Sequence, residues 1–152
     1  MDRLTRLMGK LSLVYLALGF ILGAVLLAGE GASAGWGAAW GNVHAHVLFV
    51  GWFVQFAVGI AYWLLPRRKT AAQPLGYDER LALLACGLIN AGLLLRVVIE
   101  PMFNLQVLQG PVVTFGLTLS GVLQAGAGLI WAFQLWGRFF RRFSASTPVG
   151  NK

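Results

Sequence analysis

Four apolar stretches, about Leu11–Ala28, His44–Leu65, Leu81–Ile99 and Val112–Trp136, constrain this chain more than any other feature. An α-helix needs roughly 20 mainly apolar residues to cross the hydrocarbon core of a bilayer, and each stretch is of about that length. Hydrophobic residues make up 58% of the 152 positions and charged residues 11%, so no segment is left over for a soluble domain. The expected architecture is an all-α membrane protein, one domain over residues 1–152 folded as a four-transmembrane-helix bundle in a lipid bilayer.

The formal charge of +7 invites a nucleic-acid reading, but the basic residues are distributed by topology. Arg3, Arg6 and Lys10 precede the first span; Arg67, Arg68, Lys69 and Arg80 lie between the second and third; Arg138, Arg141, Arg142 and Lys152 follow the fourth. All of these fall on one side of a four-span stack, whereas the two connections on the other side carry no Lys or Arg. The positive-inside rule then predicts both termini in the cytoplasm, as in a multi-pass protein of the inner (plasma) membrane of a prokaryote. Charge of this origin calls for no nucleic-acid partner.

The single cysteine, Cys86, rules out an internal disulfide, and the lack of a Cys-x-x-Cys-His run rules out covalent c-type haem attachment. Basic residues before the first apolar run and Ala32-Ser33-Ala34 after it imitate a secretory signal. Its apolar run exceeds the usual core of about 7–15 residues, so a retained helix is expected.

Between the spans, Gly29 to Asn42 reads as a Gly- and Ala-rich loop whose Trp36 and Trp40 suit a membrane–water interface. Pro66 ends the second helix, Glu100-Pro101-Met102 closes the third, and Pro111 opens the fourth. Gly19 and Gly23 in the first helix, and Gly121, Ala125 and Gly128 in the fourth, are small enough to let backbones approach closely in lipid.

His44 and His46 are the only histidines. Two positions along a helix amount to about 200° of rotation, so the imidazoles point to nearly opposite sides. That geometry is poor for joint chelation and good for two separate pockets. Beneath His44 lie Gly51, Gln55, Val58 and Tyr62, and a glycine below a ligand leaves room for a flat macrocycle. His46 overlooks Phe53, Ala57, Ile60 and Leu64, an apolar wall suited to haem or to another helix. Spacing leaves open that both histidines are interfacial residues bonded to the outer loop.

From His44-Ala45-His46-Val47-Leu48-Phe49-Val50-Gly51 through Gly59, Tyr62-Trp63 and Leu65-Pro66, the segment resembles the tenth helix of haem-copper oxidase subunit I, and more loosely the nitric oxide reductase large subunit. In that family a His-x-His pair is followed by a helical glycine, an aromatic pair and a terminating proline. The first histidine ligates the high-spin haem and the second the low-spin haem. The resemblance implies haem b as cofactor, with His44 and His46 as iron ligands. It also implies that this chain is similar to one of the family's three four-helix arcs, so that a homotrimer would share its pockets between protomers. The specific match covers about 23 residues. No His-His pair for copper is present, and apart from Glu100 at an edge no acid lies within a span, so neither oxygen reduction nor proton pumping is expected.

Arg96, near the far end of the third span, is a candidate partner for haem propionates or for Glu100 four residues on. Met102 reads as packing, Tyr62 as an interfacial anchor, and Gln55 and Gln124 as polar groups that bridge helices. No nucleophile, acid–base pair or second metal cluster points to catalysis. The expectation is a haem-binding protein of electron transfer, with a redox partner, or of diatomic gas binding (NO or O2). The alternative is a structural or assembly subunit, or a binder of copper or zinc.

Overall fold

The computed structural model describes residues 1–29, 34–66, 71 and 73–139, without the side chains of Ala34 and Trp36. Arg67, Arg68, Lys69, Arg141, Arg142, Lys152, the Trp36 ring and the signal-like Ala32-Ser33 lie outside what is described. The described residues form α1 (Arg3–Gly29), α2 (Ala34–His46), a π-helical segment π1 (Val47–Val54), α3 (Gln55–Leu64), α4 (Glu79–Asn104) and α5 (Pro111–Phe139). Elements α2, π1 and α3 run on as one rod. Four helices are therefore long and apolar enough to cross a membrane: Arg3–Gly29, Gly37–Leu64, Glu79–Asn104 and Pro111–Phe139.

Local chemistry explains most of the boundaries. Asp2 caps α1 by accepting from the Thr5 amide at 2.9 Å, and Asp78 caps α4 by accepting from the Leu81 amide at 3.1 Å. Leu65 leaves α3 in extended conformation with ψ 146°, as expected of a residue that precedes proline. Pro111 occupies the first turn of α5, where its missing N–H costs nothing.

Two expectations about the far end are corrected. The segment read as a loop up to Asn42 is helical from Ala34 onward. There Ala39 and Val43 are buried, and Asn104 of α4 donates its Nδ2 to the carbonyls of Ala38 at 3.4 Å and Ala39 at 3.2 Å. Tertiary packing thus recruits a stretch whose glycines disfavour helix. The histidines consequently sit about 15 Å along a helix instead of at its beginning. Similarly, Pro101 does not end the third span, which continues to Asn104. Only the bond that Pro101 would donate is lost; the next turn closes through the Leu105 amide and the Pro101 carbonyl at 2.9 Å.

In spatial order α1 packs along the second span, the second span packs on α4, and α4 packs most extensively on α5. Close approach depends on glycines. An added Cβ at Gly92 would stand 2.9 Å from the Ser120 carbonyl and 2.9 Å from Gln124 Cγ, and Ser120 Oγ donates to the Gly92 carbonyl at 2.8 Å. In α1, Gly19 meets Leu48. Gly121, Ala125 and Gly128 are not used in this way: the three are exposed, and nothing lies within 4 Å of a Cβ built on either glycine. The face of α5 that meets α4 carries Gly116 and Ser120 instead.

At the base, where α1 begins and α5 ends, Arg138 is only 3% exposed. It donates to the carbonyls of Leu65 at 2.6 Å, Tyr62 at 3.2 Å and Pro66 at 3.2 Å, and lies near the rings of Tyr62 and Tyr77. A cation on the last carbonyls of α3 satisfies groups that a helix end leaves open and suits the negative end of the helix dipole. Tyr62 is accordingly not an interfacial anchor. It is fully buried, and its hydroxyl donates to Gln134 Oε1 at 2.9 Å.

Substituting Gly92→Val should force α4 from α5 and lower stability by about 1–3 kcal/mol, the usual cost of overpacking. Gly121→Val, with open space around it, should unfold in detergent at close to the wild-type temperature. Thermal denaturation followed by helical circular dichroism checks both.

Candidate functional site

His44 and His46 occupy the last turn of α2 and leave the helix on different sides. Along the side of His44, Val47, Gly51, Gln55 and Tyr62 are buried; along the side of His46, Phe49, Phe53, Ala57 and Leu64 are exposed. One imidazole therefore turns into the chain's own packing and the other turns out of it.

The inner one is seated on α1. A Cβ at Gly23 would be 2.8 Å from His44 Cε1 and 3.4 Å from Nε2, so any larger residue there would push the ring from its seat. Its Nδ1 is enclosed and has no hydrogen-bond partner. Gly51, read as leaving space for a macrocycle, is filled from two sides: an added Cβ would meet Tyr15 Cγ at 2.7 Å and Leu93 Cδ2 at 2.8 Å. The space beneath His44 belongs to packing.

His46 differs in both respects. Its Nδ1 lies 2.9 Å from the Asn42 carbonyl, an arrangement that puts the proton on Nδ1 and leaves Nε2 as a bare acceptor. Nε2 has no protein partner and is not enclosed. An imidazole held through one nitrogen by a carbonyl, with the other open, is the usual condition of a metal ligand. Beside it, Phe49 and Phe53 stack with ring centroids 5.9 Å apart, both more than half exposed.

Beyond His46 the same helix turn connects to α4. Asn42 Nδ2 donates to Glu100 Oε1 at 3.4 Å, and Glu100 receives Arg96 Nε at 2.9 Å and Arg96 Nη2 at 3.3 Å. Arg96 and His46, singled out separately in the sequence, thus stand at two ends of one polar chain that passes through Asn42 and Glu100. Arg96 is engaged with an internal acid that is itself 7% exposed. Met102, near the end of α4, is 39% exposed.

Deeper in the span, Asn90 Nδ2 donates to Gln55 Oε1 at 2.7 Å and to the Cys86 carbonyl at 2.7 Å. Gln55 therefore bridges two spans. Gln124, expected to do the same, bonds within its own helix to Ser120 Oγ at 3.1 Å. Asn90 and Asn42 were not singled out in the sequence. Asn90 carried the same signal as Gln55, an amide inside an apolar span, whereas Asn42 acquires its role only through the fold; Gly23 was read as a point of close approach, and the fold supplies His44 as what approaches it.

Chemically, among the described residues no three His, Cys, Asp or Glu side chains converge as a metal cluster. Were a haem bound, His46 would be the residue to hold it, through Nε2 with Nδ1 pinned to the Asn42 carbonyl. His44 suits that role less well within one chain, because its ring rests on Gly23 and Tyr15 and Leu93 fill the space over Gly51.

Replacing Arg96 by Leu strands the Glu100 carboxylate and should destabilise the protein by about 1.5–3 kcal/mol, as for hydrogen bonds to charged groups. The double variant Arg96→Leu/Glu100→Leu should recover a large part of that loss, because no buried charge is left unpaired. A double-mutant cycle of thermal stability in detergent measures the coupling. Comparison of the chain with protein families, with curated proteins and with solved structures finds no match.

Proposed function

We propose that this chain is a multi-pass protein of a prokaryotic plasma membrane that binds haem b on the His46 side of its second span, in a pocket completed by another copy of the chain. The observation that carries this reading is the state of His46: Nδ1 bonded to the Asn42 carbonyl, Nε2 open, and an exposed aromatic wall of Phe49 and Phe53 below it. Among the described residues, no three His, Cys, Asp or Glu side chains converge to complete a site there. Whatever binds at Nε2 must find its remaining contacts elsewhere.

The orientation and the assembly rest on sequence. The basic residues before the first span, between the second and third, and after the fourth support cytoplasmic termini by the positive-inside rule. Resemblance to one four-helix arc of haem-copper oxidase subunit I supports a homotrimer, and the consecutive packing of α1, the second span, α4 and α5 is compatible with such an arc. Haem, when bound, supplies a redox-active iron that serves electron transfer or holds NO or O2. The chain's own part is to present one oriented imidazole, keep water from it with phenylalanines, and fix the helix turn through Asn42, Glu100 and Arg96. A non-haem reading, as a structural subunit or as a copper or zinc binder, is favoured by His44 lying against α1 and by Arg96 being held by Glu100 instead of standing free for propionates.

Protein expressed with ample haem and purified in mild detergent should show a Soret band that His46→Ala abolishes and His44→Ala retains. Absence of the band, with copper or zinc found by elemental analysis, would replace haem by the second reading. Mass measurement of the same sample should give three times the 16.4 kDa chain; a monomer that keeps its haem would end the shared pocket.

A further inference from the structure

Midway along the bundle, α1 and α4 border a groove of about 430 Å³ that takes no part in the histidine site. Its walls are almost wholly apolar, with Leu11, Leu18, Leu83 and Leu94 among them, and beside the weakly polar Cys86 thiol two hydrogen-bonding side chains interrupt them, Tyr15 and Asn90. Tyr15 stands 12 residues into α1 and Asn90 stands 11 into α4. That is roughly 17–18 Å along helices about 40 Å long, the depth at which hydrocarbon offers no hydrogen bonds.

Both polar groups are short of partners. Tyr15 is 8% exposed, yet its hydroxyl makes no hydrogen bond within the protein and is not sealed off. The remaining opening for it is the groove it lines. Asn90 commits its amide nitrogen to Gln55 and to the Cys86 carbonyl, which leaves Oδ1 with no donor. Behind it, Gln55 Nε2 is enclosed without an acceptor. Unsatisfied groups at this depth are costly and call for a partner that the chain does not supply.

The chemistry of that partner follows from the two open atoms. No charged side chain lines the groove, so an ion would enter without compensation. A ketone or ester only accepts and would leave Asn90 Oδ1 unpaired. A hydroxyl does both, accepting from Tyr15 and donating to Asn90. We propose that the groove between α1 and α4 binds a neutral, lipid-soluble molecule whose single polar group is a hydroxyl, held between Tyr15 Oη and Asn90 Oδ1. The apolar walls take its hydrocarbon body. This site is independent of whether His46 binds haem.

Photo-cross-linking in lipid nanodiscs tests the proposal, with a diazirine-bearing hexadecanol as probe and peptides of α1 and α4 as the mapped targets. Labelling should be competed by hexadecanol but not by hexadecyl methyl ether, which lacks the donor. Tyr15→Phe, which keeps the ring on Gly51, and Asn90→Leu should each weaken labelling by about tenfold, the scale of one lost hydrogen bond. Circular dichroism verifies that both variants keep their helices. Stronger competition by dodecylphenol than by hexadecanol would assign the natural ligand to phenolic lipids, and the reverse order would assign it to aliphatic alcohols. Equal competition by the methyl ether, wild-type labelling of Tyr15→Phe, or no labelling of α1 and α4 would overturn the proposal and leave the groove a crevice for acyl chains or water.

Discussion

A polar group in hydrocarbon has to find its partner within the protein, and the arrangement of this chain follows from where those partners are found. The backbone meets the condition by forming helices throughout the four spans. At the break after Leu64, where carbonyls are left over, Arg138 reaches across from α5 and takes three of them. Arg96 and Glu100 neutralise each other on α4, and Asn42 ties that pair to the turn that carries the histidines. In the middle of the bundle, Asn90 and Gln55 join two spans. Polar contacts therefore occur at the base, the centre and the far end of the described bundle, and apolar packing fills the lengths between them.

Glycine governs that apolar contact and, through it, the fates of the two histidines. Gly23 lets the His44 ring lie on the backbone of α1, and Gly51 lets Tyr15 and Leu93 close over the second span just below. The side of the helix that includes His44 is thereby used up in holding the chain together. His46, about 200° away, instead bonds through Nδ1 to the Asn42 carbonyl of its own helix. The two histidines are therefore seated differently, one with its ring on α1 and its Nδ1 enclosed, the other pinned to its own helix beside exposed phenylalanines.

The spans themselves were legible because each is a long run of apolar residues bounded by Pro, Asp or basic side chains, signals that act locally. The facing of His44 and His46 was legible for a similar reason, since rotation along a helix depends on nothing beyond the helix. What could not be read depends on partners distant in sequence. The stretch from Ala34 to Asn42 looks like a loop by its glycines and becomes helix because Asn104 and the α4 surface stabilise it. Gly121 and Gly128 look as suited to packing as Gly92, and only the direction of α5 separates them. Tyr62 carries the signature of an interfacial anchor, and Arg138 that of a positive charge at the membrane edge. Their burial against each other follows from the meeting of α3 and α5. The space expected under Gly51 vanished for the same reason, as its occupants come from α1 and α4.

The opposite seating of the two histidines is tested most directly by cysteine labelling in the bilayer. In a Cys86→Ser background, His46→Cys should react readily with a membrane-permeant maleimide, since its side chain opens away from the chain's own packing. His44→Cys, seated against Gly23, should react several-fold more slowly under the same treatment. Faster labelling of His44→Cys than of His46→Cys would contradict that seating.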